Sequence, residues 1–206
     1  MTLRRLSGEI HDPRDGEWMF DSSSLINLRI AGLLDTIMRE FHGRAHLIEE
    51  VLVELDKGTT GPIVRSSSWF EEVAPDAATH LREVARLRQR WRSAPGRDKG
   101  EAASIVVARR RGWRLICEDG VGYAAARTAE QVCVMRTVDL MVAMVRCGWA
   151  GAAEVWAGYE TLRDARQKLG VVPWEDTKVR QPRVKFDQLC SPRLRFDECL
   201  YDGASS

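Results

Sequence analysis

Short apolar runs alternate with longer segments of helical spacing along most of the chain. The runs EWMFD, RAHLIEE, WRLIC and QVCVM have the length and composition of buried β-strands, and SSSWFEEVAP contains a further strand or a loop. Between them, serine caps and glycine stops delimit amphipathic helices in residues 22–41, 51–58, 76–93, 102–111, 121–128, 138–149 and 152–170. This alternation predicts an α/β fold with a parallel sheet flanked by helices, in which ligands bind outside the carboxyl ends of the strands.

The two ends of the chain have a different pattern from the middle. Residues 1–16 are polar and contain Pro13 and Gly16, which predicts a flexible lead-in. Residues 17–170 hold the alternating elements of the predicted domain. Residues 171–206 contain three prolines, mixed charge and isolated aromatic residues, which predicts an irregular C-terminal extension.

Composition narrows the class of protein. Of the 206 residues, 44% are hydrophobic, which is enough for one sizeable core, and the formal net charge of +1 does not indicate a globally basic nucleic-acid binder. The five cysteines form no CxxC pair, which favours reduced thiols over a disulfide scaffold or a zinc ribbon. The chain shows no signal peptide and no apolar run of about 18 residues, so we expect a cytoplasmic protein without a membrane span.

Acidic residues occupy the element ends that a parallel sheet brings to one edge. Asp21 ends the first strand, Glu101 opens the helix before WRLIC, and Asp119 follows that strand. Glu54 lies inside a predicted helix and faces the same cleft if that side of VLVEL packs towards the strand ends. Carboxylates forced together repel each other unless a cation lies among them or one is protonated. A cluster of aspartate and glutamate suits Mg²⁺ or Mn²⁺, which can activate water and neutralise a phosphodiester.

Each acid also has a simpler interpretation. Asp98 and Glu101 have the spacing of a capping box at a helix start, and we prefer that interpretation for Asp98. Glu118 and Asp119 precede a glycine and fit a turn. Asp21 precedes serines and fits a helix N-cap or an Asx turn. Glu54 fits a solvent-facing helical position.

The segments FDSSSLINL, VLVEL, DKGEAASIVVA and LICEDGVGYAAA together resemble the PIN-domain family, and most closely the bacterial PIN proteins that act as toxins in toxin–antitoxin pairs. The resemblance extends over residues 18–149. It implies a Rossmann-like sheet of about four to five strands. It also implies a magnesium- or manganese-dependent endoribonuclease whose partner is a small antitoxin, with homodimerisation possible. The resemblance assigns four acids to catalysis: Asp21, Glu54, Glu101 and Asp119. Of these, it makes Asp21, Glu101 and Asp119 metal ligands.

The resemblance also implies supporting residues. Ser23 takes the place of a hydroxyl that steadies the site, and Asp98 and Glu118 are neighbours with supporting or capping roles. RTVDLM resembles the family's G-T-x-x-L run, with Arg136 in place of the glycine, so Thr137 and Asp139 can border the site. A helix N-cap with a first-turn acid is the alternative that we favour for these two residues.

Basic residues outside the acidic set have less specific interpretations. Arg127 follows Asp119 on the next helix and is the first candidate for a phosphate contact. Arg82, Arg86 and Arg90 can contact an RNA backbone, but a solvated helix face explains them more simply. Three arginines in ARRRGW suit a helix C-terminus.

Three functions are compatible with these residues. The leading hypothesis is a metal-dependent endoribonuclease, and the second is a PIN-fold binding or scaffold subunit of a larger RNA-processing or defence complex. The third is a phosphatase that uses Asp21 as its nucleophile. It is the weakest because Ser23 stands where that chemistry usually has a second aspartate.

Overall fold

The computed structural model of the chain describes residues 10–74, 77–91, 99–118, 120–168, 182–191 and 193–197. These residues contain five short strands: β1 (Trp18–Phe20), β2 (Ala45–Leu47), β3 (Phe70–Glu72), β4 (Arg114–Ile116) and β5 (Val134–Met135). They also contain ten helices: α1 (Ser22–Ile30), α2 (Leu34–Glu40), α3 (Glu49–Asp56), α4 (Thr60–Arg65), α5 (Ala77–Arg90), α6 (Lys99–Arg111), α7 (Gly120–Ala124), α8 (Thr137–Cys147), α9 (Ala152–Lys168) and α10 (Pro182–Leu189). A π-helical turn, Ala125–Ala129, continues α7.

The strands form one parallel sheet in the order β3-β2-β1-β4-β5. This confirms the predicted α/β class with a parallel sheet flanked by helices, and it is consistent with a Rossmann-like fold. From β1 the chain first adds β2 and β3 on one side, and it then places β4 and β5 on the other side. The strand order therefore reverses between β1 and β4, and in open α/β sheets a crevice forms at the carboxyl ends of such a pair.

The core lies on both faces of this sheet. Trp18, Met19 and Phe20 of β1 are all fully buried, which is expected for a central parallel strand with helices on both sides. Ring pairs between Phe20, Phe41 and Trp69 extend the packing away from the sheet. The apolar content of the chain predicted a core of this kind. Because β1 is buried, Asp21, the residue that follows it, is held at the edge of the sheet.

The predictions for the two ends are partly wrong. Ile10 is buried, and its N–H donates to the Asp197 carboxylate at 2.6 Å while its carbonyl accepts from the Asp197 N–H at 2.8 Å. Residues 10–16 therefore pack on the domain, whereas residues 1–9 lie outside the described part. The C-terminal extension contains α10, whose Phe186 is buried against Trp156 of α9, with ring centroids 5.3 Å apart. The extension is therefore not irregular throughout.

Among the described cysteines, the expectation of reduced thiols is wrong for Cys133. Cys133 is disulfide-bonded, whereas Cys117, Cys147 and Cys190 are free thiols. No helix among the described residues combines the length and apolar character needed to cross a membrane.

Candidate metal centre

Strand register brings Asp21 and Cys117 together at the switch point of the sheet. Phe20 of β1 pairs with Ile116 of β4, so the next residue of each strand leaves the sheet beside the other. The Asp21 N–H donates to the Ile116 carbonyl at 3.0 Å, and the Cys117 N–H donates to the Met135 carbonyl of β5 at 3.0 Å. Backbone hydrogen bonds therefore fix both residues where an α/β sheet binds ligands.

Asp21 is buried and is held by two backbone amides. Its Oδ1 accepts from the Ser24 N–H at 2.7 Å, which makes it the N-cap of α1, and its Oδ2 accepts from the Glu118 N–H at 3.1 Å. The N-cap interpretation of Asp21 is therefore correct, but capping does not use all the hydrogen-bond acceptor positions of its carboxylate. A carboxylate has about four lone-pair positions, so two amide bonds leave acceptor capacity for a cation.

Burial raises the pKa of Asp21 above its ordinary value, and the nearby charge of Glu54 adds to this effect, although hydrogen bonds from Ser24 and Glu118 oppose it. The pKa is therefore raised mainly because water is excluded from the carboxylate. A bound divalent cation would remove that penalty, since it stabilises the ionised form directly.

Glu101 and Cys117 complete a compact group of donor atoms with Asp21. The Cys117 thiol donates to Glu101 Oε1 at 3.0 Å. One ligand atom from each of Asp21, Glu101 and Cys117 lies within 4.8 Å of the other two, so this group could hold a metal ion. Burial raises the pKa of the Cys117 thiol well above its usual value, with further contributions from the charges of Asp21 and Glu101.

The Glu101 carboxylate approaches the backbone of α7 closely. A Cβ on Gly122 would overlap the carboxylate of Glu101, so this position accommodates only glycine without movement of Glu101. Glu101 therefore points across to Asp21 and Cys117 rather than back along its own helix. This orientation favours the metal-ligand interpretation of Glu101 over the capping box. Asp98, the other member of that box, lies outside the described residues.

Glu54 faces the same cleft, as the sequence predicted for one packing of α3. Its Oε2 accepts a hydrogen bond from the Ser22 hydroxyl at 2.5 Å, and a Cβ on Gly100 would lie 3.0 Å from its Oε1. Glu54 is half-buried and contributes to the raised pKa of Asp21. It therefore lies in the cleft rather than on the solvent face, between the start of α1 and the start of α6.

Glu118, which the sequence assigned to a turn or a supporting role, belongs to the cluster. Its Oε2 accepts from the Thr137 N–H at 3.1 Å, while its Oε1 is buried and has no hydrogen-bond partner among the described residues. Burial and, to a smaller extent, the charge of Asp21 raise its pKa to about 8, against the opposing effect of hydrogen bonds from Thr137. The four described carboxylates of this cleft, Asp21, Glu54, Glu101 and Glu118, are called the acidic cluster below.

Of the remaining predicted residues, some border the acidic cluster and others have different roles. Thr137 is buried and borders the cluster through its bond to Glu118. Asp139 accepts from the Arg136 N–H at 3.1 Å and caps α8, as the simpler interpretation predicted. The Ser23 hydroxyl makes no hydrogen bond to another described residue, and the contact with the cluster comes instead from Ser22. Arg127 is half-buried in the π-helical turn after α7, and its role as a phosphate contact stays a prediction.

Asp119, predicted as a principal metal ligand, lies outside the described residues. It directly follows Glu118 and directly precedes α7 in the chain. The described group that could hold a metal ion therefore consists of Asp21 and Glu101 from the prediction, with Cys117 added.

Ion pairs occupy Arg90, which was considered for RNA binding, and two arginines of the ARRRGW run. Arg90 lies 3.3 Å from Glu130, and Arg109 and Arg110 each lie 2.7 Å from Glu83. Except for Arg110, these side chains line a polar pocket between α5 and α6, together with Arg86 and Val106. Arg82 is exposed on α5, in agreement with a solvated helix face.

Cys117 was not predicted from the sequence, because a cysteine at the end of an apolar strand is indistinguishable from a core residue. The available signal was its position: WRLIC ends on a thiol, and two acids follow it directly. Two carboxylates and a thiol around one point can bind a divalent cation, and they can carry or accept protons. These are the capabilities required for metal-assisted hydrolysis.

Comparisons of the chain with family models, with curated proteins and with solved structures find no match.

Proposed function

We propose that the protein is a metal-dependent endoribonuclease that hydrolyses RNA phosphodiester bonds. The observation that carries this proposal is the convergence of Asp21 and Glu101 at the switch point of the sheet. The two acids are 80 residues apart in the chain, and placing the half-buried Glu101 carboxylate beside the buried Asp21 carboxylate is costly without a cation. The resemblance of DSSSLINL and GEAASIVVA to the PIN family supports RNA as the substrate.

The residues have separable roles in this proposal. Asp21 and Glu101 would hold the divalent ion, which supplies Lewis-acid stabilisation of the phosphodiester and lowers the pKa of a water. Glu54 is held by Ser22 at the partly exposed side of the cluster, where it can orient that water. Ser24 and the Glu118 amide fix the Asp21 carboxylate, so its position does not depend on a mobile side chain.

The test is cleavage of a labelled RNA by the metal-free protein before and after the addition of Mg²⁺, Mn²⁺, Co²⁺ or Zn²⁺. We expect Asp21→Asn and Glu101→Gln each to reduce the rate by at least about 100-fold. Glu54→Gln should also reduce it. Glu49→Gln is the matched control, because Glu49 is exposed at the start of the same helix. Cleavage at the wild-type rate by both Asp21→Asn and Glu101→Gln would disprove the proposed site.

A role as the toxin of a toxin–antitoxin pair is the more specific part of this proposal, and it rests on the resemblance. In this role a small antitoxin would bind over the acidic cluster and block it. We expect expression of the wild-type protein to arrest bacterial growth and Asp21→Asn to restore it. A small neighbouring reading frame with a DNA-binding motif should encode the inhibitor. Growth arrest that persists in Asp21→Asn would favour the alternative of a binding or scaffold subunit.

A further inference from the structure

Cys117 is the residue of the metal centre that the sequence did not indicate. We propose that its thiolate is a ligand of the bound ion, together with Asp21 and Glu101, and that the site therefore prefers Zn²⁺, Co²⁺ or Fe²⁺ to Mg²⁺. This inference rests on the metal site of the proposed function. It changes the expected ion, because the expectation of Mg²⁺ or Mn²⁺ assumed a site of oxygen ligands only.

The distances between the donor atoms of Asp21, Glu101 and Cys117 suit the binding of all three to one ion. Zinc binds sulfur at about 2.3 Å and carboxylate oxygen at about 2.1 Å, so two such donors in a tetrahedral site lie about 3.6 Å apart. The Cys117 sulfur and Glu101 Oε1 are 3.0 Å apart, and all three donor atoms lie within 4.8 Å of one another. The three donor atoms therefore already lie close to the spacing that one shared ion requires.

The donor set selects the class of ion. Magnesium takes oxygen ligands in octahedral geometry and gains little from sulfur, whereas a thiolate strengthens binding of the later divalent metals. With one thiolate and two carboxylates, the described site has a donor set suited to a transition metal. On binding, the thiol proton passes to solvent and the sulfur binds the ion in its place.

Glu118 provides a second observation in the same cleft. Glu118 Oε1 is buried and has no hydrogen-bond partner among the described residues, although its other oxygen accepts from Thr137. Glu118 is adjacent to Cys117 in the chain, and its amide holds Asp21. A buried carboxylate oxygen without a partner is costly, and a cation beside it would offset that cost.

The competing explanation is that Cys117 only donates a hydrogen bond to Glu101. Serine in its place would keep a donor of similar size, so Cys117→Ser would then behave as the wild type. If Cys117 binds the ion, Cys117→Ser must change which metal the site prefers. Cys147→Ser is the matched control, because Cys147 is a free thiol that lies beside Asp12 instead.

The experiment is a titration of the metal-free, full-length protein with Co²⁺, followed by absorption in the near ultraviolet. Thiolate ligation produces an intense sulfur-to-cobalt charge-transfer band that oxygen ligands do not produce. We expect this band in the wild type and in Cys147→Ser, and its loss in Cys117→Ser. Zn²⁺ at one equivalent should remove the band, whereas about a 100-fold excess of Mg²⁺ should leave it.

Three results would overturn the inference: cobalt binding without the band in the wild type, a band that survives in Cys117→Ser, or displacement by a small excess of Mg²⁺. The outcome is independent of nuclease activity. A cysteine-dependent band in a protein that cleaves no RNA would support the inference and contradict the proposed function. Magnesium-dependent cleavage at the wild-type rate by Cys117→Ser, together with no charge-transfer band in the wild type, would support the proposed function and contradict the inference.

Discussion

The close approach of Glu101 to Gly122 gives the acidic cluster a specific point of sensitivity. A methyl group at position 122 would occupy the space of the Glu101 carboxylate, which would have to turn away from Asp21 and Cys117. We expect Gly122→Ala to weaken metal binding by about 10- to 100-fold, as is usual when a neighbour of a metal ligand is changed. Isothermal titration with Co²⁺ measures this effect.

Gly120→Ala is the control for that substitution. Gly120 begins the same short helix, α7, and a Cβ there would have no neighbour among the described residues within 4 Å. Both substitutions favour helix formation by about 1 kcal/mol, so an effect of helix propensity would appear equally in the two variants. Equal metal affinities in the two variants would show that Glu101 does not need the space above Gly122.

Glu118 should make the stability of the metal-free protein depend on pH. Its pKa is raised from 4.5 to about 8, so between these values the folded protein retains a proton that the unfolded chain releases. The folded state then binds more protons, and its free energy of unfolding falls as pH rises through this range. The raised pKa of Asp21 acts in the same direction.

Glu118→Gln tests that contribution, because glutamine keeps an acceptor for the Thr137 N–H and does not ionise. We expect the variant to gain stability relative to the wild type at pH 8 and to lose most of that advantage at pH 4.5. Urea unfolding in the presence of a chelator at pH 8 and pH 4.5 measures the difference in stability between the two proteins at each pH. Titrations of other groups, which both proteins share, cancel when these two differences are compared. An identical pH dependence in the two proteins would mean that Glu118 titrates normally.

The residue patterns predicted the convergence of the acids but not the full donor set. Asp21 and Glu101 were found because strand ends and helix starts meet at one edge of a parallel sheet, which is a property of topology. Cys117 and Glu118 were not, because side-chain direction beyond a strand end depends on local packing. The Glu118 backbone donates to Asp21 while its side chain turns towards Thr137, and sequence spacing does not encode that turn.

At the scale of elements, strong apolar runs were predictable and weak amphipathic ones were not. The four clearest strand predictions were confirmed because each contains a buried apolar run. Helix α10 was missed because only Phe186 and Leu189 are buried among its described side chains, and prolines lie at its start and after its end. Tertiary contact with α9, rather than local propensity, stabilises such a helix.

The contribution of α10 to stability can be measured at Phe186. This side chain is 1% exposed and packs on Trp156, so we expect Phe186→Ala to lower the free energy of unfolding by about 3–5 kcal/mol. Val184→Ala on the same helix is the control, since Val184 is 48% exposed and should cost less than about 0.5 kcal/mol. Equal urea midpoints would show that α10 is not part of the cooperative unit.

For the whole molecule, the candidate metal centre joins elements that are distant in the chain. Asp21 follows β1, Cys117 follows β4, and Glu101 belongs to α6, so an ion bound to all three links the two halves of the sheet to one helix. Binding to the folded state alone stabilises it by about 2.7 kcal/mol when the ion is present at 100 times its dissociation constant. The ion should therefore raise the thermal midpoint of the entire domain.

Glu101→Gln distinguishes the stabilisation that comes from the bound ion from the stabilisation that comes from packing of the side chain. Glutamine is nearly the same size and keeps an oxygen for the Cys117 thiol, but it removes one negative charge from the acidic cluster. Without metal, we expect the variant to be at least as stable as the wild type, because less like charge is buried. With saturating Zn²⁺ or Co²⁺, it should lose most of the stabilisation that the wild type gains.

Thermal unfolding of the wild type, Glu101→Gln and Glu49→Gln, each with a chelator and with metal, gives the comparison. Glu49→Gln should respond to metal as the wild type does, since Glu49 is exposed on α3 and away from the donor atoms. If Glu101→Gln is destabilised without metal and still responds fully to it, Glu101 has a structural role and the ion lies elsewhere. If it is stable without metal and unresponsive to it, the carboxylate is retained at a cost in stability because the site needs it.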